Sequence, residues 1–385
     1  MKLAFQLAYK NLIGSGLRTL LNVSVLSFAF IIIIFFNGLI DGWNEQAKRD
    51  TIAWEYGYGN LLNENYDPFD PFTIQDGHGV LPADKTDYLT PLLLRQASIY
   101  PEGRMIPVMI KGIDANQEIL ELPTHLLKNS KADKPALIGK RMAASAGLEE
   151  GDQVLLRWRD KNGAFDAADV TIAGIFDCYV PTIDNGQIWM PVKKLWEMTG
   201  LTNHATLFIS GEKYVHKAIP GWKFISQKEL LKELTELIEM EKISSSIMYL
   251  LLLAIALLAI FDTQVLSVFR RQKEIGTYIS LGMTRLQVVW LFTVEGSMYS
   301  LLAMFVGAIY GIPLLMYLAK TGIPYPVDAA EFGIAIPDRI FPVYGMGLIL
   351  STIALMVVSA TIVSFLPARK IAKMNPVDAL KGKLQ

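Results

Sequence analysis

Two long apolar runs joined by a short basic segment constrain this chain more than any other feature. The first run, Ile247 to Phe269, is interrupted only near its end, by Asp262 and two neutral polar residues. As a helix it would extend about 34 Å at ~1.5 Å per residue, enough to cross a bilayer once. The second run, Val288 to Leu318, follows a segment with three basic residues among its first four, Arg270, Arg271 and Lys273. The pattern predicts two membrane-spanning helices connected by a short helix on the positively charged side of the membrane.

Two further apolar runs bring the number of predicted spans to four. They are Leu20 to Ile40 and Phe341 to Leu366. The first could instead be a cleaved signal peptide, but its apolar core exceeds the roughly 7–15 residues of such peptides and ends without a small-residue cleavage site. We interpret it as an uncleaved span with Trp43 as an interfacial anchor. Met1 to Arg18 combines basic residues with apolar residues at helical spacing, which predicts an amphipathic helix in the interface.

The region between the first two spans has the composition of a globular domain. No stretch in it is long enough to cross a bilayer, and short runs rich in β-branched and apolar residues alternate with turn residues. Short helices are predicted at Ala143–Gly147 and Val192–Thr199, and Glu229 to Glu241 predicts a charged helix that leads into the second span. Strands are predicted at Met105–Gly112, Gln153–Trp158, Asp169–Phe176 and Gln187–Met190.

The predicted fold class is therefore a membrane protein with four transmembrane α-helices and a large α+β extracytoplasmic domain inserted between helices 1 and 2. Roughly 200 residues are enough for two small subdomains in that insertion. The predicted boundaries are 1–43 for the amino-terminal helix and first span, 44–243 for the inserted domain, 244–318 for spans two and three with their connector, 319–340 for an external loop, and 341–385 for span four and a basic tail.

The distribution of charge predicts the orientation. The amino-terminal segment, the connector at 270–285 and the tail after Leu366 hold twelve of the 36 Lys and Arg residues, but only two of the 37 acidic residues. Because positive residues are retained on the cytoplasmic side, both termini are predicted to be cytoplasmic and the inserted domain to be external. We therefore expect a protein that crosses the membrane several times.

Several functional classes are disfavoured by composition. The net charge of −1 gives no reason to expect a nucleic-acid partner. Cys178 is the only cysteine, which excludes an internal disulfide and a multi-cysteine metal site. The sequence has no phosphate-binding loop motif, so we expect no nucleotide site, no cofactor and no enzymatic activity in this chain. Its histidines are scattered in sequence without ligand spacing, and we expect no metal site.

The connector has helical signals of its own. Ile275, Tyr278, Ile279 and Gly282 fall at positions i, i+3, i+4 and i+7, on one face of a helix. Gly282 is suited to a left-handed helix terminus. Thr284 to Gln287 matches a capping box that would start the next helix. On periodicity alone, an ordinary amphipathic connector lying on lipid headgroups is the favoured interpretation of the segment.

The order of these residues resembles a known family. Arg271 to Gly276, then Leu281-Gly282, and then Phe292 with Glu295-Gly296 is similar to the signature of four-span ABC transporter permeases of the lipoprotein-releasing, macrolide-exporter and FtsX-like types. Further segments resemble the family's amino-terminal entry, external domain and tail, and the lipoprotein-releasing branch looks nearest. These segments are Ala8–Leu12 with Arg18–Leu20, Pro135–Gly139 with Leu148–Val154, Val170–Phe176, and Pro367–Arg369 with Asn375–Leu380.

The resemblance implies a permease subunit that performs no chemistry itself. ATP would be bound by a separate cytoplasmic ABC ATPase dimer. A second permease, identical or homologous, would complete the assembly. A periplasmic acceptor protein and membrane lipid would be further partners. The implied location is the bacterial inner membrane, where mechanotransmission would extract a lipoprotein from the outer leaflet. The residues expected to couple to the ATPase are Glu274, Ile275, Gly276, Tyr278, Ile279, Leu281 and Gly282.

Two other sets of residues are candidates for function. An apolar substrate cleft is expected above the membrane, where spans one and two end, from Leu39, Ile40, Trp43, Ile243, Ile247 and Met248. Asp262 and Glu295 are intramembrane acids, which are costly unless paired or exposed to water. Asp262 stands where these permeases carry a neutral polar residue; it could snorkel, pair with a basic neighbour or act in a conformational change. For Glu295 we expect a structural role between spans.

Three alternative functions stay open on the sequence. The protein could be an efflux permease for peptides or drugs. It could be a signalling permease that activates an external cell-wall hydrolase without moving substrate. It could also be a membrane anchor for an external binding domain, in which case no ATPase would co-purify with it.

Overall fold

The computed structural model describes residues 16–82, 85–324 and 339–373. It divides into two compact units. The helical unit comprises residues 16–44, 238–324 and 339–373, and the sheet unit comprises residues 45–82 and 85–237. The predicted amphipathic helix lies outside the described residues except at its end, and so do most of the predicted external loop and most of the basic tail.

The helices and strands follow one another along the whole described chain. The helices are α1 (Leu17–Thr51), α2 (His125–Asn129), α3 (Lys140–Ala146), α4 (Pro181–Asp184), α5 (Val192–Thr199), α6 (Gln227–Leu230), α7 (Lys232–Arg270), α8 (Gln272–Ser280), α9 (Arg285–Thr321) and α10 (Met346–Ala368). The strands are β1 (Gly59–Asn63), β2 (Leu89–Ile99), β3 (Ile106–Ile113), β4 (Pro135–Gly139), β5 (Gln153–Arg159), β6 (Phe165–Phe176), β7 (Gln187–Pro191), β8 (Leu207–Ser210), β9 (Trp222–Ser226), β10 (Ile323–Pro324) and β11 (Arg339–Ile340).

Four of the described helices are long and apolar enough to span a membrane, which confirms the predicted number of spans. They are α1, α7, α9 and α10 with short extensions. The helices continue beyond the apolar runs: α1 extends to Thr51 and passes into a π-helical turn at Ile52–Tyr56. Similarly, α7 is one helix of 39 residues that contains most of the charged segment Glu229–Glu241, as expected for a helix that leads into the second span. Apolar length therefore marks the membrane segment but not the helix ends.

Small residues allow the long helices to approach closely. A Cβ added at Gly311 of α9 would overlap Ile31 of α1, and one at Gly296 would overlap Ser364 of α10. Because lipid is as apolar as leucine, close packing at small residues is a main source of helix association in membranes. The apolar core of the helical unit forms around these contacts and includes Leu26, Phe30, Ile260, Ala303, Met356 and Ala360.

The sheet unit is built on one continuous nine-stranded sheet with the order β3-β7-β4-β6-β5-β2-β8-β1-β9. An additional antiparallel pairing of β2 with β3 closes six of these strands into a barrel. The barrel interior is apolar and is completed by α3 and α5. The remaining three strands, β8, β1 and β9, extend from β2 as an open wing.

The four predicted strands and two predicted short helices in this unit are confirmed, with bounds that shift by a few residues at most. Alternation is visible in β5, whose residues are exposed and buried in turn, as expected for a strand with one face on a core. The two predicted subdomains stay a prediction, since the barrel and the wing share one sheet.

Candidate functional site

The connector between α7 and α9 is a short helix with well-formed ends. It is α8, and Gly282 after it has a φ of 97°, a conformation that favours glycine. Thr284 accepts a hydrogen bond from the backbone of Gln287, whose side chain accepts one from the backbone of Thr284 in return. This confirms the predicted capping box, and the two caps fix where the connector stops and α9 begins.

One face of α8 is packed into the helical unit. Ile275 is fully buried and belongs to an apolar cluster with Val268 of α7, Val288 and Phe292 of α9, and Ile371 after α10. Tyr278 and Ile279 pack at the edge of the same cluster. The connector is thus held against the ends of three long helices rather than lying free on the surface.

A buried ion pair anchors the start of the connector. The guanidinium of Arg271 donates to both carboxylate oxygens of Glu295, at 2.8 and 3.0 Å, and its Nε donates to Glu274 at 2.7 Å. It also lies over the ring of Phe292, 4.7 Å from the centroid. Burial lowers the pKa of Arg271, but Glu295 and Glu274 outweigh that effect and raise it above its ordinary value. Arg271 therefore stays charged and ties the start of α8 to the first third of α9.

The expected coupling residues divide between two faces. Ile275 and Gly276 are buried, whereas Glu274, Leu281 and Gly282 are exposed. Tyr278 and Ile279 are half-buried. The exposed face continues through Lys273 and Thr277, two residues that periodicity does not single out. A substitution at Ile275 would disturb the helical unit itself, so it cannot test contact with a partner.

Arg271 is the residue that the sequence analysis did not identify as functional. Its spacing from Glu274 is visible in the sequence, since residues three apart are neighbours on a helix. Its main partner, Glu295, is 24 residues away on another helix, and only the packing brings them together. For Glu295, whose side chain is 3% exposed, this pairing gives the expected structural role between spans a physical basis.

The second intramembrane acid lies in a different environment. Asp262 is exposed on α7, and it has no hydrogen-bond or ion-pair partner in the described part of the chain. It belongs to a stripe of exposed side chains that recurs every three or four residues. The other members of this α7 stripe are Met248, Leu251, Ile255, Leu258, Leu266 and Phe269.

A cluster of buried polar side chains lies at the crossing of α7, α9 and α10. The amide of Gln264 and the hydroxyl of Ser364 are buried without a hydrogen-bond partner in the residues described. Gly296 lies between them, since a Cβ there would approach both side chains. Nearby along α7, Thr263 accepts a hydrogen bond of 2.8 Å from Asn22 of α1. Polar contacts of this kind hold membrane helices in register.

The expected cleft residues lie at one level of the helical unit. An ion pair of 2.6 Å between Asp41 and Lys242 brings α1 and α7 together there. Leu39, Ile40 and Trp43 of α1 are half-buried, whereas the three α7 residues are exposed. The exposed fractions of Ile243, Ile247 and Met248 are 69, 60 and 47%. A single chain therefore buries one side of the expected cleft only in part and leaves the other side open.

The histidines expected to be scattered are not all separate. His78 and His204 lie in the sheet unit with their Nδ1 atoms 2.9 Å apart and their rings edge to face. Burial, Arg95 and His204 lower the pKa of His78 to about 4. Among the described residues, no group of three or more His, Cys, Asp or Glu side chains could hold a metal ion. The pair is a structural contact between segments 126 residues apart.

Comparisons with known proteins agree with this architecture. Residues 246–376 match the FtsX-like permease C-terminal family. The chain is 24% identical over 311 residues to the lipoprotein-releasing system transmembrane protein LolC of Xylella fastidiosa strain Temecula1, covering 71% of this chain and 73% of that protein. LolC of strain 9a5c is 23% identical over the same shares of both chains. The macrolide export ATP-binding/permease protein MacB of Agrobacterium fabrum is 28% identical over 123 residues, 32% of this chain and 17% of that protein.

The family match covers most of α7, the connector, α9 and α10, and the LolC matches, at 71% of the chain, extend beyond the helical unit. They confirm the resemblance drawn from the sequence to four-span ABC permeases. Together with the four apolar helices they point to a bacterial inner-membrane protein.

Proposed function

We propose that this chain, whose residues 246–376 match the FtsX-like permease C-terminal family, is the transmembrane subunit of an ABC transporter that releases lipoproteins from the inner membrane. ATP hydrolysis would take place in a separate cytoplasmic ATPase, and the permease would convert it into motion. The name of the LolC relatives supports lipoprotein as the substrate class. No step of this function requires catalytic residues in the chain itself.

The main support for the proposal is the way in which α8 buries one face and leaves the other open. Its inner face is fixed by Ile275 and by the Arg271–Glu295 pair, while its outer face, with Lys273, Glu274 and Leu281, is open. A rigid helix with one open, charged and apolar face is suited to receive a partner domain. Force applied to that face would be passed directly to α7 and α9, because the anchor joins all three.

The positive charge of the connector supports a cytoplasmic position for α8. The segment around it carries Arg270, Arg271, Lys273 and Arg285 against a single acid, Glu274. An ATPase in the cytoplasm could then bind it, and the sheet unit would be external. The single cysteine, Cys178, is buried, so labelling of introduced cysteines can test this topology with little background. Lys273→Cys should react with an impermeant maleimide only after lysis, and Lys161→Cys should react in intact spheroplasts.

A second permease would cover the exposed stripe on α7. An apolar stripe alone could face lipid, but Asp262 within it would then place a carboxylate against acyl chains, which is costly. By helix rise, Asp262 is about 12 Å from Arg270, so a partner helix or the headgroup region would have to solvate it. A second copy or a homologue packed along this stripe supplies such a surface. It would also complete the cleft formed by Ile40 and Met248, which one chain leaves open.

The direct test is ATP-dependent release of a triacylated lipoprotein from proteoliposomes that contain the permease and the ATPase that co-purifies with it. Leu281, 79% exposed on the outer face of α8, is the residue to change. Leu281→Asp should abolish release while ATP hydrolysis continues. Val215→Asp, at a residue that is 74% exposed in the sheet unit, is the matched control and should release normally. Normal release by Leu281→Asp would remove α8 from the coupling route.

Charge placed in the expected cleft tests the substrate class separately. Ile40→Asp or Met248→Asp should abolish lipoprotein release while basal ATP hydrolysis and membrane insertion are kept, because an apolar acyl chain would meet a carboxylate. Wild-type release by both variants would move the binding site elsewhere.

Efflux is the second candidate, since part of the chain is similar to a macrolide export protein. In the same proteoliposomes, ATP hydrolysis that is stimulated by a macrolide or a peptide, with no release of lipoprotein, would favour it. Stimulation by neither substrate, together with activation of a cell-wall hydrolase, would favour a signalling permease.

A further inference from the structure

The sheet unit contains a cavity of about 900 Å³ on the outer side of the barrel. Its floor is formed by side chains that alternate along β2, β3, β8, β1 and β9, so they share one face of the sheet. The volume is within the range of pockets that enclose small ligands, roughly 300–1,000 Å³. The floor is apolar and consists of Leu62, Leu92, Leu94, Met109, Leu207 and Ile225.

The charged groups around this floor are predominantly acidic. Lys111 is the most deeply placed, with a side chain that is 9% exposed, but its charge already faces Glu55 at 3.7 Å and the ring of Trp189 at 4.8 Å. Burial lowers the pKa of Lys111, and Glu55 opposes that effect. Lys111 is therefore a weak attractor for an anionic ligand.

Outside the Lys111–Glu55 pair, acids outnumber bases around the cavity. The acids are Glu64, Asp67, Glu229 and Glu233, and the bases are Lys223 and Lys232. Burial raises the pKa of Tyr56, which lines the cavity, to about 12, and Glu55 and Glu233 add to that effect. The opening of the cavity favours a positive charge.

One polar atom in the wall of the cavity could accept a hydrogen bond from a ligand. Gln187 lines the cavity beside Met109, its register partner on β3, and its Oε1 is buried without a hydrogen bond in the described residues. Leaving a buried acceptor unsatisfied is unfavourable, so rotation of this amide towards a ligand that donates an N–H would give it a contact that the protein lacks.

We propose that this cavity binds a cationic amphipathic ligand, with its apolar body on the leucine-rich floor and an ammonium group between Gln187 and the acidic rim. The site lies wholly within the sheet unit. It does not depend on an ATPase partner, so its test stands apart from that of the proposed function.

Two fluorescent probes of the same shape and opposite charge test the proposal. Dansylcadaverine carries a dansyl group and a primary ammonium, and dansyl-6-aminohexanoate carries the same group and a carboxylate. Binding to the full-length protein in nanodiscs is measured by dansyl anisotropy, with empty nanodiscs as the blank. The cation should bind saturably and at least about tenfold more tightly than the anion, a difference of about 1.4 kcal/mol. Equal or tighter binding of the anion, or a signal equal to that of empty nanodiscs, would overturn the proposal.

Three variants test whether the probe binds in this cavity. Glu233→Lys should weaken the cation about tenfold, whereas Glu212→Lys makes the same charge change at an exposed residue outside the cavity lining and should change nothing. Gln187→Leu should weaken the ammonium probe about fivefold. Met109→Trp should fill the floor and abolish saturable binding, with circular dichroism showing that the fold is kept. Unchanged cation binding in both Glu233→Lys and Met109→Trp would place the probe elsewhere and refute the assignment.

Discussion

The buried pair between Arg271 and Glu295 can be tested against an internal control, because Glu274 binds the same guanidinium in more exposed surroundings. The side chain of Glu295 is 3% exposed and that of Glu274 is 53% exposed. Removing one partner of a buried pair costs about 3–5 kcal/mol, whereas an exposed pair is worth about 0–1 kcal/mol. We therefore expect Glu295→Met to destabilise the helical unit by about 3 kcal/mol and Glu274→Gln by less than ~1 kcal/mol.

The double variant separates the pair from simple loss of packing. Arg271→Met leaves the Glu295 carboxylate buried without its partner and should cost about 3–5 kcal/mol. Arg271→Met with Glu295→Met replaces both charges by side chains of similar length, so most of that loss should be recovered. The free energy of unfolding can be measured by titrating SDS into dodecylmaltoside micelles and following tryptophan fluorescence. Additive effects within ~0.5 kcal/mol, or equal losses for Glu274→Gln and Glu295→Met, would refute the buried anchor.

Three further predictions follow from other contacts. Gly296→Ala should destabilise the helical unit by about 1–3 kcal/mol in the same titration, because its methyl group would overlap Ser364, whereas Gly347→Ala meets open space and should be neutral. Thr284→Ala should cost about 1 kcal/mol through loss of the capping box, and Thr284→Ser should restore it. The pKa of His78 is about 4 in the folded state and about 6.5 when unfolded, so the sheet unit should lose stability as pH falls from 6.5 towards 4. Urea titrations at pH 7 and pH 5 measure this loss, and His78→Gln should make it smaller.

The long helices were predictable because each follows from a local property of the chain. An apolar run of about 20 residues predicts a span, and the Thr284–Gln287 capping box predicts where α9 begins. The charged start of α7 was predictable from periodicity, since Glu229–Glu241 indicates a helix that leads into the second span. The end of α1 was not predictable in this way, because the helix continues into charged sequence, where hydropathy carries no signal but backbone hydrogen bonding persists.

Contacts between distant segments set the limit of prediction from the sequence. The pairing of Arg271 with Glu295 depends on how α8 packs on α9, and the contact of His78 with His204 depends on the isolated bridge between Gly79 and Ala205. The closure of the barrel through β2 and β3 has no signature in either strand. The division of α8 into a buried and an open face was predictable only in part. Periodicity finds the apolar side, but only the fold shows that Ile275 faces inwards.

Site-specific crosslinking in cells tests most directly whether the open face of α8 binds a separate ATPase. A photoreactive benzoylphenylalanine at Leu281 would sample the partner of that face, with the same residue at Val215 as the control. Both native side chains are highly exposed, 79 and 74%. We predict a crosslink from position 281, and not from 215, to a protein that mass spectrometry identifies as an ABC ATPase. Crosslinks from position 281 to lipid alone, or to an external protein, would contradict binding of an ATPase to this face.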